Sequence, residues 1–392
     1  MKKLLIYFPE KKLKPIGGQA GYLFNLKKGL QYIKDMKDIQ IDFYNNAPDR
    51  FEDNSKLKNM IPKRILEFRR AIKDATFLKK KFEIDKSLYD YDLIHFHWTE
   101  EMYLNRDFLK NYKGTVILTS HSPCVMYKEK INKLNPFDYK LLKKWVDKLE
   151  EIDAYAFNRA DYIIFPCKEA EEPYFNTWSS YAKLRKDFKY KYLPTGIIGC
   201  HSKINKYEYR KKYNIPKNAF VVSYVGRHNV IKGYEDLKKI AKKYLNKHKD
   251  VYFLIAGKEE PIKRLKNDRW IEVGWTDDPH SVITASDVFI LPNKETYFDL
   301  ILLEVLSLGI PVILSETGGN KYFKKFKCSA IKLYSTLKEA ETSIDYFANA
   351  SKKSLESMSK EILTIFNDNF TAEKFAKGYL NIISEIASNC KK

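Results

Sequence analysis

Short apolar runs alternate with longer, helically spaced stretches along the whole chain. In the first half the runs are residues 4–8, 39–44, 93–97, 115–119 and 162–166; in the second they are 220–225, 251–256, 271–273, 288–291, 311–314 and 330–333. Runs of this length, bounded by turns and separated by helices, predict parallel strands covered on both faces. Two such series predict two doubly wound α/β domains. The breaker cluster Leu193-Pro194-Thr195-Gly196 separates them. The last segment carries Phe375, Tyr379, Ile382 and Ile386 at spacings of 4, 3 and 4, which predicts a closing helix. The expected domains are 1–195 and 196–370, followed by the helical segment 371–392.

At 392 residues the chain is too long for one core. Its 44% hydrophobic and 15% aromatic content excludes a disordered protein. A net charge of +21 draws it to anionic partners: phosphorylated substrate, acidic lipid or nucleic acid. Nucleic acid is not expected, because no helix-turn-helix, zinc or RNA-recognition pattern is present. Cys124, Cys167, Cys200, Cys328 and Cys390 are odd in number and scattered. They read as reduced thiols of a cytoplasmic protein rather than a disulfide frame or zinc site. The apolar run within residues 1–10 is too short for a signal peptide and reads as a first strand. No stretch approaches the ~20 apolar residues of a membrane span, so membrane contact is expected to be peripheral.

Candidate chemistry concentrates in the second half. The strand at 220–225 ends in Gly226-Arg227, and Lys232-Gly233 follows. Further on come Pro292-Asn293-Lys294-Glu295-Thr296-Tyr297-Phe298-Asp299-Leu300, then Glu304 and Gly309-Ile310-Pro311-Val312. Two cations beside a strand-to-helix turn suit a sugar-nucleotide diphosphate, and a carboxylate one turn into the next helix can hold a ribose. The plainer alternatives are surface cations and a carboxylate favoured by the helix dipole. Near the N-terminus, Gly17-Gly18 follows the first strand and a helix opens with Tyr22, Leu23, Leu26, Leu30 and Ile33 on one face. Glycines there let backbone approach a ligand closely, and the helix start points N–H groups at an anion.

Together these pieces resemble the retaining glycosyltransferases of GT-B type, family 4 (glycosyl transferases group 1). The resemblance covers nearly the whole chain. It runs through Gly17-Gly18-x-x-Gly21, Asp92-Leu93-Ile94-His95-Phe96-His97-Trp98, Thr119-Ser120-His121-Ser122, Gly226-Arg227-x4-Lys232-Gly233, Ala285-Ser286-Asp287-Val288 and Glu316-Thr317-Gly318-Gly319. It implies two Rossmann-like domains facing a cleft, acceptor on the first and nucleotide-sugar on the second, with the C-terminal helix returning to the first. It implies that Arg227 and Lys232 grip the donor diphosphate, that Glu304 binds ribose and that Gly18 lies on the donor side. His121 would stand beside donor sugar and acceptor, with His97 and Trp98 lining the acceptor side. His95 alternates inward and reads as core; His201, His228, His248 and His280 carry no catalytic reading.

The chain departs from the family in one place. The family's first carboxylate falls four residues after the proline and eight before the second Glu, and counting from either end lands on Thr296. Glu295 is one residue early, and the usual Gly-Phe-Gly is Tyr297-Phe298-Asp299. Thr296, Glu295 or Asp299 is the candidate substitute, unless Asp299 only caps the helix. Asp90-Tyr91-Asp92 spells the metal-nucleotide signature of the other glycosyltransferase architecture, but it leads straight into a strand, so no metal or cofactor is expected.

Residues 56–86 form the clearest basic run. Ile61, Ile65, Phe68 and Ile72 fall at helical spacing among Lys63, Arg64, Arg69, Arg70 and Lys73, with Lys79-Lys80-Lys81 beyond and Pro62 suited to a first turn. A basic amphipathic helix can lie on anionic lipid. The alternative is an apolar face packed on the domain with its cations solvated. The resemblance implies transfer from a nucleotide-sugar, with UDP the expected carrier, to a hydroxyl of a glycan, lipid-linked or protein-linked acceptor in bacterial surface-glycan assembly. A non-catalytic accessory protein on the same scaffold is the alternative.

Overall fold

The structure is a computed structural model and describes residues 1–9, 13, 17–44, 62–80, 84–132 and 134–389. It contains two six-stranded parallel sheets, in the orders β2-β1-β3-β4-β5-β6 and β12-β11-β10-β7-β8-β9. The first comprises β1 (Lys2–Tyr7), β2 (Ile39–Phe43), β3 (Leu93–Phe96), β4 (Thr115–Leu118), β5 (Tyr162–Phe165) and β6 (Tyr190–Tyr192). The second comprises β7 (Phe220–Val225), β8 (Val251–Ala256), β9 (Trp270–Gly274), β10 (Val288–Leu291), β11 (Val312–Ser315) and β12 (Ile331–Tyr334). Every apolar run read from the sequence is a strand, within a residue or two at its ends. β6 escaped that reading: it is a three-residue edge strand, Tyr190-Lys191-Tyr192, with no apolar run to announce it.

The order reverses beside β1 in one sheet and beside β7 in the other, so the carboxyl ends of the strands line a crevice in each domain. Register brings the key strand ends level: His95 pairs with Ile117 and Phe96 with Leu118 across β3 and β4.

The chain passes between the domains twice, and the two passages are hydrogen-bonded side by side. Ile197 N–H donates to Phe370 O at 2.8 Å, and Ala372 N–H to Ile197 O at 2.8 Å. Beyond the second passage, the Ala372–Asn389 helix packs on the first domain. Its Phe375, Tyr379, Ile383 and Ile386 share a core with Leu4, Ile6, Leu26, Leu93 and Ile117. Burying a side chain of this size is worth about 1.5–3 kcal/mol, enough for four of them to fix a terminal helix. Ile383 takes the buried position that spacing had assigned to Ile382, which is half-buried. The contact is close: a Cβ on Gly29, in the Gly18–Leu30 helix, would lie 2.1 Å from the Ala372 carbonyl oxygen.

The basic segment is a helix over Lys63–Ala75, and it does not pack Ile65 and Ile72 on the domain as the alternative reading had it. Ala71 and Ala75 are buried, whereas Ile65 and Ile72 are 50% and 40% exposed. Arg64 reaches Asp138 at 2.6 Å and ties this helix to the Pro136–Val146 helix. Ile61 and Lys81, with residues 56–60, 82 and 83 of the basic run, lie outside the described residues, as does Cys390. The other four cysteines are free thiols. No helix among the described residues is long and apolar enough to cross a membrane.

A backbone carbonyl cannot yield to a new methyl group, so Gly29→Ala is expected to destabilise the fold by about 1–3 kcal/mol. A urea melt would show this as a lower midpoint at unchanged slope.

Candidate active site

Strand β7 delivers Arg227 to the crevice of the second domain. Arg227 is exposed, and its guanidinium has no hydrogen-bond or ion-pair partner among the described residues. Lys232 lies on the turn that follows, its N–H held by Asn229 Oδ1 at 2.9 Å. The next residue, Gly233, has φ +64°, and a Cβ there would fall 1.6 Å from the Pro292 carbonyl oxygen. Only glycine permits both the left-handed backbone and that approach. It presses the cation turn against the β10 exit.

That exit, residues 292–299, is the connection between β10 and the Leu300–Ser307 helix. It is pinned on its other side by Gly319, where a Cβ would meet the Tyr297 carbonyl oxygen at 2.0 Å. Asp299 occupies the N-cap position of the helix, yet its side chain makes no capping bond. The capping alternative therefore fails. Its carboxylate instead accepts from Lys232 Nζ at 2.7 Å on both oxygens and from Asn293 Nδ2 at 2.5 Å.

The candidate substitutes for the missing carboxylate separate here. Thr296 is fully buried and its hydroxyl has no partner among the described residues. Glu295 is half-exposed, and burial pushes its carboxyl above the usual range. Phe298 is buried against Phe323 and Phe370, with centroids at 5.6 and 6.3 Å, and serves packing. Tyr297 crosses to the first domain: its ring lies 5.3 Å from Phe165 and 6.5 Å from His121, and its hydroxyl donates to Ile164 O at 3.4 Å.

Glu304 projects one turn into the helix and meets His280 Nε2 at 3.1 Å. Cys200 Sγ completes a group whose ligand atoms lie within 4.8 Å of one another, the one set among the described residues spaced to hold a metal ion. Hydrogen bonds to the Cys200 sulfur and the Glu304 carboxylate push the His280 imidazolium up to about 10. Sequence reading passed over His280 because it lies 24 residues before Glu304 on a different helix, Pro279–Thr284.

The first domain contributes histidines. His121 sits at the end of β4 with φ +57° and is half-exposed. His97 is fully buried and meets the cleft only through His121, Nδ1 to Nε2 at 2.9 Å. His95 lies behind them in the core, between the Tyr379 hydroxyl at 2.8 Å and Thr119 Oγ1 at 2.9 Å. Thr119 donates onward to Ile164 O, so it accepts from His95 Nε2–H, and His95 Nδ1 accepts from Tyr379. His97 Nε2 is buried without a partner among the described residues. Buried orphan N–H groups are rarer than orphan acceptors, so His97 carries its proton on Nδ1 and donates to His121, which is then protonated on Nδ1. Burial lowers all three imidazoles, His121 to about 3, so the row is neutral at physiological pH.

Around this row, Trp98 is half-buried with its indole N–H unpartnered. Gln19 Nε2 donates to His97 O at 2.6 Å. Gly18, first residue of its helix, is exposed with open space where a Cβ would be. Three residues on, a Cβ at Gly21 would touch Leu300 Cδ1 at 2.7 Å, so the two helix starts meet across the cleft. Asp92 is absent from this assembly. It accepts from Lys2 Nζ at 3.1 Å and Lys3 N–H at 2.8 Å at the opposite, N-terminal edge of the sheet.

Comparison with known proteins agrees with this geometry. Residues 219–330 match the family model of glycosyl transferases group 1. The O-antigen biosynthesis glycosyltransferase WclY of Escherichia coli is 29% identical over 189 residues, covering 46% of this chain and 51% of that protein. The Escherichia coli UDP-Gal:alpha-D-GlcNAc-diphosphoundecaprenol alpha-1,3-galactosyltransferase is 32% identical over 136 residues, covering 31% and 35%. The chain thus spans about half the length, or less, of these curated relatives. Among solved structures, HepE of Anabaena in complex with UDP-glucose superposes over 99% of this chain and 100% of its own, with a TM-score of 0.64 at 13% identity. Residues 219–330 thus match the glycosyl transferases group 1 family, and the chain as a whole has the GT-B fold.

Proposed function

We propose that this protein is a retaining glycosyltransferase that moves a sugar from a UDP-sugar to a hydroxyl of a glycan, lipid-linked or protein-linked acceptor in bacterial surface-glycan assembly. One observation carries the reading. Within the segment that matches the family, Lys232 meets Asp299 at the start of the helix that bears Glu304, and Arg227, with no partner among the described residues, follows the neighbouring strand β7. UDP is supported by the UDP-glucose complex of HepE and by the UDP-Gal donor in the name of the galactosyltransferase relative. Surface-glycan assembly is supported by the O-antigen role in the name of WclY. Peripheral contact with an anionic membrane, through the basic segment that includes Lys63–Ala75, belongs to the same proposal.

In this scheme the donor lies on the second domain. Arg227 and Lys232 meet the charge that develops on the departing diphosphate, and Glu304 holds the ribose. Fixed cations in a water-poor cleft stabilise such charge without moving a proton. The leaving diphosphate takes the acceptor proton on the same face, so no strong base is needed, and no metal ion is required. His121 suits this arrangement. An imidazole lowered to about 3 is too weak a base to deprotonate a hydroxyl, but its Nδ1–H can donate to a sugar oxygen. Tyr297, spanning to the first domain, helps keep water out.

A second reading, a non-catalytic accessory protein, is favoured by two observations: Thr296 stands where the family has a carboxylate, and Lys232 is already engaged by Asp299. Thermal-shift measurements with UDP, GDP, ADP and their sugars separate the two, because a ligand of the native state raises the melting temperature. Stabilisation by UDP or a UDP-sugar, lost in Arg227→Ala, is the expected result. No shift with any nucleotide would favour the accessory reading.

Three outcomes follow for variants. Arg227→Ala and Lys232→Ala should each lower kcat about 10²–10³-fold with the fold intact; near-normal turnover in both would remove the central claim. Glu295, not Thr296, should replace the missing carboxylate. Glu295→Gln is then expected to cost about 10–100-fold in kcat/KM, the worth of one charge-assisted hydrogen bond, whereas Thr296→Val, removing a buried unpaired hydroxyl, stays near wild type. The reverse ranking would reassign the role. His280, raised from 6.5 to about 10, contributes stability fully below pH 6.5 that is lost as pH rises through about 10. His280→Gln should therefore flatten the fall in melting temperature over that window, and an unchanged fall would exclude the ion pair.

A further inference from the structure

Three side chains from three separate segments converge around Glu304. Cys200 comes from the stretch just after the first passage between the domains, His280 from the Pro279–Thr284 helix and Glu304 from the Leu300–Ser307 helix. Their ligating atoms all lie within 4.8 Å of one another. His280 Nε2 and Glu304 Oε2 are 3.1 Å apart. Two such atoms bound to one tetrahedral zinc ion, at bonds of about 2.0–2.2 Å, stand roughly 3.3–3.5 Å apart. Cys200 Sγ also donates weakly to Ile198 O at 3.7 Å, a contact that a short rotation about the Cα–Cβ bond gives up.

The three segments are tied together by hydrogen bonds that leave the ligating atoms free. Cys200 N–H donates to Ser307 Oγ at 3.1 Å, and Ser307 lies one turn beyond Glu304 on the same helix. Lys203 N–H and Ile204 N–H donate to Ser281 Oγ at 3.1 and 3.0 Å, and Ser281 follows His280 directly. The cluster is therefore held in place by its own supports, and an ion entering it has little left to order. It is also open to solvent, since the His280 and Glu304 side chains keep 28% and 25% of their surface exposed. An imidazolium and a carboxylate account for each other as an ion pair; the thiol held against both is the soft ligand that such a pair does not need.

We propose that Cys200, His280 and Glu304 bind Zn²⁺, and that the bound ion blocks the donor site. A thiolate, an imidazole and a carboxylate suit this borderline-soft ion, whereas Mg²⁺ and Ca²⁺ prefer oxygen alone. On binding, Zn–S, Zn–N and Zn–O bonds form, the thiol proton and the imidazolium proton leave to the buffer, and water fills the fourth position. The consequence rests on the proposed function in one respect, that Glu304 is the group that holds the ribose. With its carboxylate on the metal, that hold is lost. Zinc is here an inhibitor that competes with the nucleotide-sugar and takes no part in transfer.

Cobalt(II), a spectroscopic stand-in for zinc, tests the site in the full chain. Wild type should show the near-ultraviolet thiolate-to-cobalt band and the intense visible bands of a tetrahedral ion, and Zn²⁺ but not Mg²⁺ should abolish them. Cys200→Ser and His280→Gln should each lose these bands and weaken Zn²⁺ binding at least about tenfold, the least that even an outer partner of a metal ligand is worth. Should one variant fail to fold, the other decides. No bands in wild type, or unchanged bands in a folded variant, would leave the cluster an ion pair and overturn the proposal. Calorimetric titration with UDP then reads the consequence. Zn²⁺ should weaken UDP binding to wild type about tenfold or more but not to Cys200→Ser, which also corrects for zinc held by the diphosphate itself. Equal weakening in both proteins, or none in wild type, overturns the inhibitory role. The cobalt bands decide the site whether or not the protein binds UDP, so a chain that shows them and ignores every nucleotide counts against the transferase reading alone.

Discussion

The cleft depends on one packing constraint, the close approach of bare backbone on both sides of the connection at 292–299. Gly233 presses on the Pro292 carbonyl and Gly319 on the Tyr297 carbonyl, each where a single methyl group could not fit. Backbone pinned against backbone has no rotamers to lose and little room to relax. The consequence is local order in a loop that would otherwise be free. Lys232 is brought to Asp299, Tyr297 is sent across to Ile164, and the Leu300–Ser307 helix starts where its first turn faces the Gly18–Leu30 helix. A site assembled this way is set before a ligand arrives, which is the condition for electrostatic stabilisation to cost little on binding.

The two halves of the cleft divide the electrostatics. The second domain holds the charged groups: Arg227, Lys232, Asp299, Glu304 and a protonated His280. The first holds a row of imidazoles kept neutral by burial. That row is anchored from behind by Tyr379 of the C-terminal helix. The helix therefore does more than cover the sheet, since the orientation of His95, and through ring contact at 4.0 Å that of His97, rests on it. A terminal segment remote in sequence thus helps fix the tautomer presented at the cleft.

Much of the fold was legible because strands inside a parallel sheet are buried on both faces and read as continuous apolar runs, as Leu93–Phe96 and Val288–Leu291 do. β6 was not, because an edge strand needs only one neighbour and tolerates Lys191. Side-chain direction was less legible than element identity. Spacing alone could not choose between Ile382 and Ile383, nor show that Ile65 and Ile72 face solvent while the small Ala71 and Ala75 face the core. The cation turn and Glu304 were readable as motifs because strand and helix place them in a fixed local order. His280 and Cys200 were not, since they reach Glu304 only through tertiary folding. Spacing could not decide whether Asp299 caps the helix, because its partner, Lys232, lies 67 residues away.

That partner raises the question whether an occupied Lys232 can still serve a donor. What a donor would add is a second cation. The two side chains are only 22% and 19% exposed, so the charge-assisted bonds of Lys232 to Asp299 are worth about as much as those it would make to a diphosphate. A diphosphate offers Lys232 a more highly charged partner. It can also draw in Arg227, and each charge-assisted bond is worth about 1.5–3 kcal/mol. Exchange of Asp299 for a diphosphate would therefore be favoured by the added Arg227 contact, and the freed carboxylate would keep Asn293 and sit where the helix dipole favours negative charge. In the unliganded protein the pair keeps Lys232 aimed at the start of the helix without neutralising Arg227. The same contact that suggests an inert scaffold is thus compatible with a site waiting for its anion, and the outcome turns on Arg227, the cation left unpaired.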